Sequence, residues 1–101
     1  MLERLTRYRR DLHRIPELDL DLPETTAYIR SVLANLPCEV FSPEGHAVCA
    51  YFDCGKPETV AFRSDMDALP ICEAVDSDFK STHPGKMHAC GHDGHMAIAL
   101  G

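Results

Sequence analysis

The stretch of the 101-residue sequence with the clearest chemistry is a cluster of histidines around one cysteine. Four of the six histidines lie between His83 and His95, and Cys90 lies among them. Cys90 and His92 are separated only by Gly91, so an extended or tightly turned backbone could present a thiolate and an imidazole to one ion. Thiolate and imidazole both suit Zn²⁺, with Co²⁺, Ni²⁺ or Mn²⁺ as alternatives when carboxylates complete the shell. These residues predict a site for a divalent metal.

A pair of aspartates, Asp65 and Asp67, is the second chemically informative feature. The pair follows the apolar run 59–62, and in open α/β sheets ligands gather beyond the carboxyl ends of strands. Two such carboxylates could hold a metal, orient a ligating imidazole or cap the turn before Leu69. Because the pair precedes the histidine and cysteine cluster, a role at the metal site is favoured over capping.

Two other interpretations of the cluster remain open. The histidines could lie on an exposed loop before a helix, with Cys90 as a buried thiol. Alternatively, Cys90 and His92 could belong to a self-contained metal-binding module, in which two further histidines close a four-ligand structural site. The candidates for these two positions are His83, His88 and His95.

Two amphipathic helices are predicted to open the chain. Apolar side chains recur at three- and four-residue steps over residues 2–15, and Pro16 ends this helix. Pro23 suits a first helical position and begins the second helix, whose apolar positions continue to Leu36 before Pro37. Both patterns are typical of helices that bury one face.

Short strands are predicted after the two helices. Residues 38–41 and 47–52 have strand-like composition, and turn residues at 42–45 predict that they form a hairpin. The compact apolar run 59–62 predicts a central strand covered on both faces. A polar, irregular stretch, residues 63–86, leads to the metal-site loop and the start of an apolar helix. The chain is therefore expected to have an α/β fold.

Composition limits the classes of protein to which the chain could belong. Ten basic and 16 acidic side chains give a formal net charge of −6, which argues against nucleic acid or an anionic membrane as a partner. No apolar run approaches the roughly 18 residues that a membrane span needs. Five cysteines without dense spacing indicate a reducing, cytoplasmic compartment, in which all except Cys90 are expected to be buried thiols. These four are Cys38, Cys49, Cys54 and Cys72.

Three segments of the chain resemble the sequence motifs of a known family. Residues 63–71 and 83–95 look like the signature of the metal-dependent amidohydrolases in the aminoacylase/carboxypeptidase group of peptidases. Residues 10–18 resemble the N-terminal motif of this family, which includes hippurate hydrolases, N-acyl-amino-acid amidohydrolases and indole-acetyl-amino-acid hydrolases. The resemblance implies that residues 1–101 form the N-terminal portion of a zinc-peptidase-like catalytic domain. The inserted lid or dimerisation domain and the C-terminal half of such an enzyme would be absent.

The resemblance also implies roles for individual residues. Cys90 and His92 match the family's first two metal ligands, and Asp67 matches the aspartate that supports the metal site from behind. Asp65 and His95 are secondary candidates beside them. The implied cofactor is a divalent metal, with zinc favoured and manganese, cobalt or nickel as alternatives.

The activity implied by the resemblance is hydrolysis of the amide bond of an N-acyl amino acid or small peptide by a metal-activated water. The family's general-base glutamate and its remaining metal ligands would follow residue 101, so the chain alone is expected to be an inactive fragment of the parent enzyme. The expected partners are this small substrate and further copies of the parent in a homo-oligomer, without nucleic acid or membrane. The apolar run 59–62 predicts that the isolated chain self-associates.

Overall fold

The computed structural model describes residues 1–43 and 47–101, which form three helices and one two-stranded hairpin. In chain order the elements are α1 (Leu2–His13), α2 (Pro23–Leu33), β1 (Glu39–Phe41), β2 (Cys49–Tyr51) and α3 (His92–Leu100). The predicted mixture of helices and strands is therefore confirmed. Within the residues described, no helix is both long enough and apolar enough to cross a membrane.

The three helices build the hydrophobic core. Leu12 of α1, Ile29 and Leu33 of α2, and Met96 of α3 form one buried cluster. The most extensive contact between elements joins α1 to α3. Burying one such side chain contributes about 1.5–3 kcal/mol, so this cluster holds α3 firmly against the helices that open the chain. The position of the metal-site motif at the start of α3 therefore depends on α1.

Both opening helices form as predicted, although α2 is shorter than expected. The first helix ends at His13, shortly before Pro16. The second begins at Pro23 but ends at Leu33 rather than Leu36. The predicted end is wrong because the chain leaves the helix in a tight turn toward β1. The backbone N–H of Leu36 donates to the Leu33 carbonyl at 3.0 Å, and the Leu36 side chain is exposed.

The start of α2 is capped by a residue that precedes the helix. The Glu17 carboxylate accepts hydrogen bonds from the N–H groups of Thr25 at 2.7 Å and Glu24 at 3.1 Å. The first N–H groups of a helix have no partner within it and carry partial positive charge, so a carboxylate there stabilises the helix. Glu17 therefore fixes the connection between α1 and α2.

The predicted hairpin is confirmed as an antiparallel pair of short strands. Its register pairs Glu39 with Tyr51, Val40 with Ala50, and Phe41 with Cys49. Val40 is partly buried against the helical core, so the hairpin packs on the helices through one face. Part of the predicted turn, Glu44 and Gly45, lies outside the described residues.

Residues 59–62 do not form the central strand that their apolar pattern predicts. Val60 is 79% exposed and Phe62 is 92% exposed, so neither side chain is covered. A buried strand needs neighbouring strands to satisfy its backbone N–H and C=O groups, and a layer over each face to cover its side chains. The described part of the chain supplies neither at this position, which is why the prediction fails.

The irregular segment 63–91 is tied to the opening helices and to itself by backbone hydrogen bonds. The Ala68 N–H donates to the Glu17 carbonyl at 2.7 Å. Leu69 and Met87 exchange two backbone hydrogen bonds, at 2.9 and 3.0 Å, and form an isolated antiparallel bridge. This bridge brings the aspartate pair close to the start of the histidine and cysteine cluster.

The cysteines are less buried than the sequence predicts. All five have free thiols; Cys38 and Cys49 are half-buried, whereas Cys54, Cys72 and Cys90 are exposed. The prediction of buried thiols is therefore wrong for Cys54 and Cys72. Both lie on segments that no second layer of the described chain covers.

Candidate metal centre

A tight turn at Gly91 separates the two predicted metal ligands. Gly91 has a φ of 112°, in the left-handed region that glycine adopts without steric cost. It is the N-cap of α3, so His92 is the first helical residue and Cys90 lies just before the helix. A side chain at residue 91 would strain the backbone even though the space around it is open. Glycine is therefore the residue suited to this turn between Cys90 and His92.

The imidazole of His92 is oriented by Asp67. Its Nδ1 atom donates to the Asp67 backbone carbonyl at 2.8 Å and lies 3.1 Å from the Asp67 carboxylate oxygen Oδ1. A ring held through Nδ1 has Nε2 available as the atom that can bind a metal. Asp67 and His92 are therefore in contact, while the role of Asp67 in metal binding remains a prediction.

Cys90 has an exposed thiol, unlike the buried thiol of the surface-loop alternative. An exposed cysteine beside an oriented imidazole provides a soft donor that becomes a thiolate when it binds a divalent cation. The chemistry of the two donors therefore fits a metal such as zinc.

The two secondary candidates, Asp65 and His95, differ in their surroundings. Asp65 forms an exposed ion pair with Arg63, with Oδ1 2.7 Å from the guanidinium nitrogen Nη2. This pair would have to open before Asp65 could bind a metal. His95 follows His92 along α3, and the centres of the two rings are 5.8 Å apart. The structure places His95 beside His92, and metal binding by either candidate remains a prediction.

The described residues supply part of a metal shell rather than a complete one. In residues 1–43 and 47–101, no three or more His, Cys, Asp or Glu side chains are arranged to hold a metal ion. A catalytic zinc site needs three protein ligands and a structural site needs four. Cys90 and His92 can provide two donors, so either kind of site needs further ligands.

His83 does not belong to a self-contained metal site. Its Nδ1 atom donates to the Pro16 carbonyl at 2.8 Å, and its Nε2 atom lies 2.6 Å from the Glu24 carboxylate oxygen Oε2. Both ring nitrogens are occupied, so this side chain fastens the irregular segment to the α1–α2 connection. His83 therefore has no free ring nitrogen for the four-ligand module, whose remaining candidates are His88 and His95.

His88 is buried, with 4% of its surface exposed, and its two ring nitrogens have no hydrogen-bond partner among the described residues. Burial lowers the pKa of His88 below its ordinary value, because the charged imidazolium would lose its hydration. The sequence treats this residue as one more candidate ligand and contains no signal that distinguishes its burial from the exposure of Cys90.

A second polar cluster lies beside the candidate centre, at the junction of α1 and α3. The Asp93 carboxylate oxygen Oδ2 accepts from His13 Nδ1 at 2.8 Å and lies 3.0 Å from Arg9 Nε. His13 Nε2 lies 2.9 Å from the Glu73 carboxylate oxygen Oε2. His13 and Asp93 are separated by 80 residues in the sequence. This cluster therefore links the beginning of the chain to the residue that follows His92.

Hydrogen bonding controls the charge of Glu73 in this cluster. Burial would raise the pKa of Glu73, but hydrogen bonds from His13 and from the Ser81 N–H lower it below its ordinary value. The Ser81 N–H donates to Glu73 at 2.7 Å. Sequence analysis missed Glu73, Asp93 and His13 as site residues, and the available signal was the presence of His13 in the N-terminal motif.

Comparison with known proteins supports the resemblance. Residues 61–101 match the family described as Peptidase family M20/M25/M40. An uncharacterized hydrolase of Staphylococcus epidermidis is 51% identical over 99 residues, which are 98% of this chain and 26% of that protein. An N-acetyldiaminopimelate deacetylase of Anoxybacillus flavithermus is 48% identical over 96 residues, covering 92% of this chain and 25% of that protein. The chain thus spans about a quarter of the length of the curated relatives it matches.

A solved structure of similar shape gives the same result. The crystal structure of a Bacillus subtilis protein, described as a dinuclear metal binding peptidase from the M20 family, superposes with a TM-score of 0.88 at 40% identity. The match covers 97% of this chain and 28% of that protein. The predicted resemblance is therefore confirmed, and the chain has the fold of the N-terminal part of M20 peptidase structures.

Proposed function

We propose that this chain contributes two metal ligands, Cys90 and His92, to an enzyme that hydrolyses the amide bond of N-acyl amino acids. The observation that carries the proposal is the orientation of His92, which follows the exposed Cys90 by two residues and whose Nδ1 is held by Asp67. A partner that fixes one ring nitrogen and directs the other toward an ion is usual at catalytic metal sites. The similarity to the deacetylase of Anoxybacillus flavithermus supports the substrate class.

The donor set favours zinc as the bound metal, with manganese, cobalt and nickel as alternatives. A thiolate is a soft ligand and an imidazole is a borderline one, a combination typical of zinc sites. A bound divalent metal would lower the pKa of a water molecule, so that a nucleophile for the amide carbonyl is available near neutral pH. The similarity to a dinuclear metal-binding peptidase supports a divalent metal without selecting among these ions.

Each residue of the chain has a separate task in this proposal. Cys90 supplies a thiolate, whose negative charge offsets part of the charge of the cation. His92 supplies Nε2, while its Nδ1 atom keeps its proton and donates it in a hydrogen bond to the Asp67 carbonyl. The carboxylate of Asp67, which lies 3.1 Å from the same nitrogen, favours this ring orientation.

The test compares two exposed thiols in the full-length protein that contains this chain. Cys90→Ser is expected to lower both metal content and the hydrolysis of hippurate or N-acetyl amino acids by more than about 100-fold, because serine is a poor neutral ligand. Cys54→Ser, the matched control, should retain metal and activity. Asp67→Asn should lie between them, with a loss of about 10–100-fold. Full metal occupancy and normal turnover in Cys90→Ser would contradict the proposal.

We further infer that residues 1–101 are the N-terminal portion of the catalytic domain, and that the protein works in the cytoplasm as a homo-oligomer. The free state of all five cysteines supports a reducing compartment. The isolated chain is expected to have no amidohydrolase activity with added Zn²⁺, Mn²⁺ or Co²⁺, because it supplies two metal donors and no complete shell. Metal-dependent turnover by the pure 101-residue chain would overturn this inference.

A further inference from the structure

We propose that His13 is a positioning residue for the candidate metal centre: held between the Glu73 and Asp93 carboxylates, it fixes the first turn of α3 and thereby the direction of His92. The proposal rests on the proposed function in one respect, since it takes His92 as a metal ligand. It gives a role to the cluster of His13, Glu73 and Asp93, none of which is proposed as a metal ligand.

The first turn of α3 needs anchors because its local sequence is flexible. His92 and Asp93 lie between Gly91 and Gly94, and glycine loses more conformational entropy on folding than any other residue. The N-cap residue, Gly91, has no side chain with which to cap the helix. The orientation of His92 therefore depends on what holds the residues next to it.

Asp93 is held at both carboxylate oxygens. Its Oδ1 atom accepts from the Gly94 N–H at 2.9 Å, and Oδ2 contacts His13 and Arg9. Of these last two side chains, only His13 is buried, with 2% of its surface exposed. The rigid link between α1 and the residue after His92 is therefore the His13–Asp93 hydrogen bond.

The contacts of His13 define which of its nitrogens carry protons. Both nitrogens face oxygens of carboxylates, and an ionised carboxylate can only accept hydrogen bonds. Both ring nitrogens are therefore placed to donate, which they do together only in the imidazolium form. With Arg9 it balances the two negative charges of Glu73 and Asp93, as a buried charged group requires.

An aromatic side chain shields this cluster from water. The Phe79 ring meets the His13 ring edge-on, with centroids 5.8 Å apart. The guanidinium groups of Arg9 and Arg10 lie 5.2 and 4.8 Å from the centre of the same ring. Charge-assisted hydrogen bonds are stronger in such a shielded place than in water, so the link through His13 is stiff.

The first test replaces the cation while retaining a polar side chain. In the full-length protein, His13→Gln offers one amide group that can donate and one oxygen that would face a carboxylate. It is expected to weaken Zn²⁺ binding by about 10–100-fold in a competition titration with a chromogenic chelator. His83→Gln, which loosens the irregular segment elsewhere, is the matched control and should leave Zn²⁺ affinity unchanged.

The second test keeps His13 and changes its other partner. In Glu73→Gln, the amide can donate to His13 Nε2 and its oxygen can still accept from Ser81, so a neutral His13 keeps both hydrogen bonds. Glu73→Ala removes one side of the arrangement. We expect Glu73→Gln to retain Zn²⁺ affinity within about threefold and Glu73→Ala to lose about tenfold, in line with losses at supporting residues of metal sites. Equal affinities for the two variants would overturn the proposal.

A spectroscopic measurement separates the positioning role from the proposed function. With ¹⁵N-labelled histidine and no metal, the Nδ1 proton of His92 should give a defined long-range ¹H–¹⁵N signal in the wild type and in Glu73→Gln, and a shifted or broadened one in Glu73→Ala. An unchanged His92 signal in Glu73→Ala would overturn the positioning role. If the His92 signal is lost in Glu73→Ala but the wild-type protein does not bind Zn²⁺, the positioning role is supported and the proposed function is contradicted.

Discussion

Apolar side chains are buried in the helical part of the molecule, which comprises α1, α2 and α3, but are exposed in the apolar run 59–62. Leu12 in α1 is completely buried, at 0% exposure, whereas Phe62 is 92% exposed. Both residues were predicted to be in a core. The difference arises because a helix satisfies its own backbone hydrogen bonds and needs one contact face, while a strand depends on neighbours on both sides.

The same contrast appears in the polar residues. Around α1 and α3, buried charges are paired, as in the contacts of His13 with Asp93 and Glu73. On the segment that follows the apolar run, Asp65 has an exposed partner, Arg63. Buried contacts in the helical part can hold side chains in one orientation, because water competes less for their hydrogen bonds than it does for those of the exposed pair.

The largest effect is expected from breaking the helical core. In the 101-residue chain, Leu12→Ala should lower the free energy of unfolding by about 2–5 kcal/mol, because it removes a buried side chain and leaves a cavity. Phe62→Ala, the matched control from the exposed run, should change it by less than about 0.5 kcal/mol. Urea unfolding followed by circular dichroism measures both. Equal losses would mean that the two regions do not differ as described.

A smaller effect is expected on self-association of the isolated chain. Exposed apolar side chains and unpaired backbone groups at 59–62 should make it associate at high concentration. Phe62→Lys should weaken the association by about tenfold or more, since each 1.4 kcal/mol lost changes the constant tenfold. Leu20→Lys, at an exposed apolar residue outside this run, should not weaken the association. Sedimentation velocity distinguishes these cases, and a monomeric wild-type chain would contradict the prediction.

Lowering the pH should weaken the paired charges of the helical part. The folded-state pKa of Glu73 lies below its ordinary value of 4.5, so the unfolded chain binds the proton more readily. The contribution of Glu73 to stability is therefore complete above pH 4.5 and is lost as the pH falls through its folded-state pKa.

This pH effect is isolated by comparing the wild-type chain with Glu73→Gln. Urea midpoints measured between about pH 6 and pH 3 should fall more steeply in the wild type than in the variant. Glu58→Gln, at an exposed carboxylate, should keep the wild-type slope. Identical slopes for wild type and Glu73→Gln would show that the Glu73 contacts do not stabilise the ionised form.

The smallest effects are expected at the exposed thiols. Cys54→Ser and Cys72→Ser should each change the free energy of unfolding by less than about 0.5 kcal/mol, as is usual at exposed positions. Cys38→Ser should cost about 1 kcal/mol, because Cys38 packs against the helical core and serine would bury a hydroxyl there. Thermal unfolding under reducing conditions ranks the three variants. A larger loss for Cys54→Ser than for Cys38→Ser would contradict the observed exposure.

Local patterns in the sequence were sufficient for the helices and the hairpin. The spacing of apolar residues predicts α1, and Pro23 marks the start of α2 because its fixed φ suits a first helical turn. The end of α2 was misplaced, since Leu36 continues the apolar pattern but not the packing. Motif resemblance also identified the family fold without any knowledge of contacts.

Contacts between distant residues could not be predicted in this way. Glu73 and His13 are 60 residues apart, and nothing in the spacing around either one indicates the other. The burial of His88 and the exposure of Cys90 likewise depend on which side chains surround each of them. Burial of a polar group is decided by the neighbours available to pair with it or cover it.

Residue types and short-range spacing thus established the opening helices, the donor chemistry of Cys90 and His92, and the resemblance to metal-dependent amidohydrolases. Tertiary structure decided that Asp67 orients His92 and that His13 is held between two carboxylates. It also left residues 59–62 uncovered. The physical reason is that helix periodicity and ligand chemistry are properties of neighbouring residues, whereas strand burial and buried ion pairing require partners brought together from far along the chain.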